Sequence, residues 1–305
     1  MFFISNSIHE EGSSRKYFFT LLLVVSSFIT LGQLPLLFIQ NYIKNKNPNV
    51  IDLNDLLNVI GYNSFFALIL FPFFVALFVL LICIKYIHKR PLLSYFTARL
   101  KFDWARFFFS FILWGGISFV FLVIMLFSGA SIDFQFDIIK FSILCLLSFT
   151  LLVFQTFFEE VFFRGYILQA IFKLFKNGGV SVVFVGVLFG MLHASNPEVE
   201  ALGPYLILYY IFSGIFLSLV VLFDDGLELS FGYHAVNNIF AAIILTNDWQ
   251  AFRTDALFVD LSPAAFGLEN ILTIILIQPL MLFIFAKKYK WTNWREKIKH
   301  FKSIE

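Results

Sequence analysis

The chain has 305 residues, of which 60% are hydrophobic and only 14% charged. Soluble globular chains run at roughly half apolar and a quarter charged, so a water-soluble fold is excluded. The net charge of +2, without a basic stretch in a polar context, argues against nucleic acid as a partner.

The first sixteen residues are polar and end on Arg15 and Lys16. The apolar run behind them is too long for a signal-peptide core and reads as an uncleaved first span. A bilayer core takes about 20 apolar residues in helical form. On that measure the spans fall at Phe18–Gln40, Ser64–Tyr86, Phe107–Phe127, Phe141–Phe163, Val180–His193, Tyr205–Phe223, Phe231–Thr246 and Ile271–Ala286. The fifth and seventh are short. Pro35, Pro72 and Pro279 lie in or near spans, where neighbouring helices can satisfy the freed backbone groups. Cys83 and Cys145 sit far apart in apolar runs, which excludes a disulfide framework and leaves free thiols. The expected fold is all-α, a polytopic membrane bundle of about eight helices forming a single domain over 1–305. The segment 247–270 reads as a solvated connection.

Lysine and arginine set the orientation. Only Lys44, Lys46, Lys140 and Arg253 of the 22 fall on the side opposite the termini. Both termini are therefore expected in the cytoplasm, and the absence of a transit peptide suits a bacterial cytoplasmic membrane.

A charge near mid-span costs about 2.5–3.5 kcal/mol, so each one needs a reason. They cluster in three places: Glu159, Glu160 and Arg164 end the fourth span, Phe189 and His193 the fifth, and His234 with Asn238 opens the seventh. His9, His88 and His300 lie in polar or basic segments, leaving His193 and His234 as the histidines of apolar helices. Glu160 and Arg164 stand i,i+4 with the acid first, the favourable order for a structural pair. Adjacent residues point about 100° apart, so Glu159 is left to face a different direction from Glu160. Asn177-Gly178-Gly179 marks the turn of a helical hairpin. At about 1.5 Å per residue, Glu159 and His193 rise about 25 and 20 Å above that turn, so they can meet. Taken singly, an acidic pair near a span end reads as an interfacial charge pair, a lone histidine as a cap, and a His/Asn pair as interhelical glue. Phe189 reads as packing. Nothing structural requires all of them to fall in adjacent elements.

Three motifs in order, EExxxR at Glu159, Glu160 and Arg164, FxxxH at Phe189 and His193, and HxxxN at His234 and Asn238, resemble the CAAX-protease and bacteriocin-processing (CPBP, or Abi) intramembrane proteases. The resemblance covers about 141–246, the expected catalytic core. It implies hydrolysis of a peptide bond in a membrane-associated or prenylated-type substrate. Glu159 would activate water with help from His193, His234 and Asn238 would stabilise the oxyanion, and Glu160, Arg164 and Phe189 would support the site. It also implies a metalloprotease, with Glu159, His193 and His234 as candidate zinc ligands, although the same residues can act without metal. The partners implied are the lipid bilayer and a peptide or membrane-protein substrate. A bacteriocin-immunity factor and a transporter are the rival classes; transporters show internal repeats, and none is found here.

Overall fold

A computed structural model describes residues 3–7 and 13–299. His9 and His300 lie outside the described residues. The chain forms helices α1 (Ser14–Lys46), α2 (Leu53–Ile60), α3 (Tyr62–Tyr86), α4 (Trp104–Phe127), α5 (Ile138–Phe175), α6 (Gly178–Leu192), α7 (Pro197–Leu202), α8 (Tyr205–Asp224), α9 (Glu228–Ile243), α10 (Leu268–Tyr289) and α11 (Trp294–Ile298). Among the described residues six of these, α1, α3, α4, α5, α8 and α10, are long and apolar enough to cross a membrane. The chain is a polytopic helical bundle and an integral membrane protein.

The expected count of about eight spans is not confirmed: α6 and α9, the two spans already short in the sequence, are shorter than a bilayer core. Sixteen residues rise about 24 Å, less than the bilayer core of about 30 Å. Their environment explains how they are accommodated. In α9 an unbroken run from Glu228 to Val236 is buried, as expected of a helix enclosed by others. Its polar residues are thereby kept from lipid.

Small residues permit this enclosure. A Cβ on Gly186 would meet the backbone nitrogen of Ile215 at 2.7 Å, and one on Gly190 that of Ile211 at 2.7 Å. This pair, four residues apart, seats α6 directly on α8, as small residues do in membrane interfaces. On α9 Gly232 lies against the carbonyl of Phe107, which brings α4 equally close.

The turns are built as the sequence suggests, with one shift of detail. Lys176 (φ 50°) and Asp225 (φ 59°) take the left-handed conformation. Asn177 caps α6 by accepting from the Val180 amide at 2.9 Å, while Gly178 and Gly179 are already helical. Asp224 and Glu228, both buried, are held by Arg99 at 2.9 and 3.1 Å, and Asp224 also by Arg106 at 2.5 Å. These partners satisfy the buried carboxylates and fix the start of α9.

Segment 247–270 is more than a connection. Strands β1 (Ile132–Phe134), β2 (Leu245–Thr246) and β3 (Phe258–Asp260) form a small sheet in the order β1-β3-β2. Ile132 pairs with Asp260 antiparallel, and Leu245 with Phe258 in parallel. Thr254 donates its hydroxyl to the Ala242 carbonyl at 2.6 Å, and Ala256 is buried. The three strands fasten the chain after α4, after α9 and before α10 to one another.

His88 also departs from expectation. It is buried, with Nε2 3.0 Å from the Tyr166 hydroxyl and 3.2 Å from that of Thr20. Its place in a basic stretch concealed that the ring turns inward among Tyr17, Tyr95 and Tyr166.

Candidate active site

Helix α5 changes pitch where the site begins. After an earlier π-helical stretch at Ser148–Leu152 it is α-helical over Val153–Glu159 and widens again to a π-helix over Glu160–Ile167, all eight residues of which are buried. Widened turns of this kind recur at functional sites.

Against this stretch α9 lays His234, which is 7% exposed. Its Nδ1 lies 2.8 Å from Glu160 Oε1 and its Nε2 3.5 Å from Glu159 Oε2. Glu159 and Glu160 were expected to face different directions; instead both carboxylates reach one imidazole. The physical reason is that the ring inserts between them, and its two nitrogens lie on opposite edges. Because a carboxylate only accepts, Nδ1 carries the proton given to Glu160, and Nε2 is the edge presented to Glu159. Glu160 and Arg164 form the expected pair, 3.1 Å apart with neither side chain exposed. The Arg164 guanidinium also lies over the Phe189 ring at 4.3 Å.

Sequence reasoning missed Gln155, which lies one turn before Glu159 and is buried. Its Nε2 donates to Glu159 Oε1 at 2.6 Å. Its Oε1 accepts from Asn238 Nδ2 at 3.1 Å and from the Thr156 hydroxyl at 3.2 Å. A single amide thus joins the acid of EExxxR to the amide of HxxxN. The available signal was an i,i+4 spacing from Glu159 to a polar residue inside an apolar run. Asn237, next to Asn238, accepts from Trp114 Nε1 at 3.1 Å, tying this turn of α9 to α4.

His193 stands differently. It caps α6 and donates Nδ1–H to the Phe189 carbonyl at 2.7 Å, which leaves Nε2 free of that bond. Its ring packs on Phe189 at 4.5 Å and stacks on Tyr210 at 4.4 Å. Phe189 in turn sits 6.1 Å from the His234 ring. Among the described residues no hydrogen bond or ion pair joins His193 to Glu159, although their heights on the hairpin allow proximity. Phe189 thus packs against both His193 and the Arg164 guanidinium.

Residues 141–240, from α5 into α9, match the protein family described as type II CAAX prenyl endopeptidase Rce1-like. A Bacillus subtilis (strain 168) relative, the uncharacterized protein YyaK, is 30% identical over 250 residues, covering 77% of this chain and 80% of its own. This chain belongs to the Rce1-like family. The family is one of CAAX-protease-like endopeptidases of the membrane. Its matched stretch contains Glu159, Glu160, Arg164, Phe189, His193, His234 and Asn238, and Gln155 as well. No solved structure matches the chain.

The donor set of this Rce1-like site does not fit zinc as arranged. Structural and catalytic zinc sites draw three or four ligands to one point. Among the described residues no three His, Cys, Asp or Glu side chains group in that way. Glu160 is engaged by Arg164 and His234 Nδ1, and His193 is packed on Phe189.

Proposed function

We propose that this chain hydrolyses a peptide bond of a membrane-associated substrate, with Glu159 as the general base that activates water. The observation that carries the reading is the convergence of Glu159, His234 and Asn238 on one amide and one imidazole inside the bundle. Glu159 has one oxygen held by Gln155 and the other turned to His234 Nε2. A carboxylate fixed in this way can take a proton from water without reorienting, which is how positioned bases gain about 10²–10⁴-fold.

Asn238 supplies one donor for the oxyanion through Nδ2, and His234 adds a second through Nε2–H when its ring carries both protons. Glu160, paired with Arg164, orients the His234 ring through Nδ1 and holds it edge-on to Glu159. Fixed donors in a water-poor site require no reorganisation as charge develops. His193, packed on Phe189, offers the Nε2 that is not bonded to the Phe189 carbonyl to the water or to the departing amine.

The charge distribution supports cytoplasmic termini in a bacterial plasma membrane. The turn between α8 and α9, only a few residues before His234, then puts the site toward the cytoplasmic leaflet. A substrate would present its scissile bond from that side, as a prenylated or otherwise membrane-anchored C-terminal peptide would.

The test is cleavage of a fluorogenic lipidated C-terminal peptide, together with a broad peptide library, by purified protein in detergent. Glu159→Gln is expected to abolish turnover with unchanged melting behaviour. Equal cleavage by wild type and Glu159→Gln would refute the mechanism. Failure of folded wild type to cleave anything would favour a non-proteolytic role such as immunity.

A further inference from the structure

We infer that Glu198 and Tyr210 are positioning residues that hold the His193 imidazole in place; the catalytic part of this inference rests on the endopeptidase reading. Glu198 opens the short helix α7, five residues after His193, in the stretch that joins the expected fifth and sixth spans. It is instead 9% exposed, and a carboxylate is rarely buried without partners that require it.

Its partners come from three separate segments. Glu198 Oε1 accepts from the Tyr210 hydroxyl at 2.7 Å and from Asn196 Nδ2 at 3.0 Å. Glu198 Oε2 accepts from the Ala251 amide at 2.9 Å. One carboxylate therefore joins the start of α7, the first turns of α8 and the segment after β2.

The consequence for His193 follows from ring geometry. The Tyr210 ring lies nearly parallel to the imidazole, at 4.4 Å with 23° between planes. Phe189 covers it from another side at 4.5 Å. The imidazole is thus clamped between two aromatic rings while its Nδ1–H is spent on the Phe189 carbonyl. Phe189 is anchored by its own helix and by Arg164. Tyr210 is anchored at its polar tip by Glu198. His193 is the last-turn cap of α6, and the helix C-terminus alone leaves its side-chain torsions free. The Glu198–Tyr210 bond supplies the missing restraint. Because Ala251 hangs on the same carboxylate, the 247–257 segment and the His193 ring are mechanically joined.

The experiment uses the full chain in detergent with nitrogen-15 histidine labelling, the His193 signals being assigned by their loss in His193→Gln. At alkaline pH the wild type is expected to show His193 in a single Nδ1-protonated tautomer. In Tyr210→Leu and Glu198→Ala the two ring nitrogens are expected to move toward averaged values. Glu198→Gln keeps an oxygen for Tyr210 and is expected to retain the wild-type pattern. In peptide cleavage the first two variants should lose about tenfold in kcat with KM within about twofold, a displaced catalytic group being felt in kcat, whereas Glu198→Gln should stay near wild type. Tyr210→Phe removes only the hydroxyl; should the bulkier changes unfold the protein, its His193 pattern must show the same averaging. His193 signals unchanged in folded Glu198→Ala, Tyr210→Leu or Tyr210→Phe overturn the inference, as does a Glu198→Gln pattern identical to that of Glu198→Ala. If the signals move as expected while wild type cleaves nothing, the positioning stands and the endopeptidase reading falls.

Discussion

Gln155→Leu keeps side-chain volume while removing every polar contact of the amide, and it tests the centre of the site most directly. The lost bond to Glu159 Oε1 is short, at 2.6 Å, and charge-assisted; such bonds are worth about 1.5–3 kcal/mol. The lost bond from Asn238, at 3.1 Å, is an ordinary one between amides, worth about 0.5–1.5 kcal/mol. Together they come to about 2–4.5 kcal/mol, some of which Asn238 recovers from water because it is only half buried. If about 2 kcal/mol of positioning is lost in the transition state, kcat/KM falls about 30-fold. The assay is steady-state cleavage by purified Gln155→Leu and Asn238→Ala, singly and combined. The double variant should lose less than the two single losses combined, because both substitutions cut the same link. Full additivity, or a Gln155→Leu enzyme within about threefold of wild type, would refute the claim that this amide holds base and oxyanion donor in register.

Further outcomes are expected. Arg164→Met strands a fully buried Glu160 and should destabilise the protein by about 3–5 kcal/mol, whereas Glu160→Gln/Arg164→Met should recover much of the loss in a thermal melt. Gly190→Ala drives a Cβ into the α8 backbone and should cost about 1–3 kcal/mol, whereas Gly116→Ala, which meets nothing within 4 Å, should leave the melt unchanged. Exhaustive chelation followed by buffer exchange should leave cleavage within about twofold, since no trio of ligands converges; abolition restored by zinc would refute this. Burial raises the Asp255 carboxyl above its ordinary 3.8, against the lowering pull of Lys140. The folded state therefore binds this proton more tightly, and the contribution to stability is lost as pH climbs from 3.8 through the raised value. Asp255→Asn should remove that decline and melt no lower than wild type at neutral pH.

Much of this site was legible because membrane helices carry few polar residues and each stands out. The hairpin turn at Asn177 and the Glu160–Arg164 pair follow from spacing and hydropathy, whereas the association of Glu159 with His234 came only from the family resemblance. The shared imidazole was not legible, because it depends on a ring entering between neighbouring residues of a helix that changes pitch. Gln155 was hidden by its neutrality, and Glu198 by an address in what read as a loop. His88 was hidden because a run of Lys and Arg says where the backbone lies, not which way one ring turns. The span count is not confirmed at α9 for a related reason: hydropathy measures a helix against lipid, and much of this one is measured against other helices.

The shortness of α9 bears on how the protein is made. A segment of sixteen residues carrying Glu228, His234, Asn237 and Asn238 partitions poorly into lipid by itself. It is best inserted behind α8 as one half of a hairpin and drawn in beneath α4, where Gly232 leaves room for the Phe107 carbonyl. The proposed base on α5 is synthesised and inserted well before its partners on α9 exist. Biogenesis thus imposes an order on competence: the nascent chain holds an incomplete site until the α8–α9 hairpin docks, and peptide bonds that pass it earlier are safe from it.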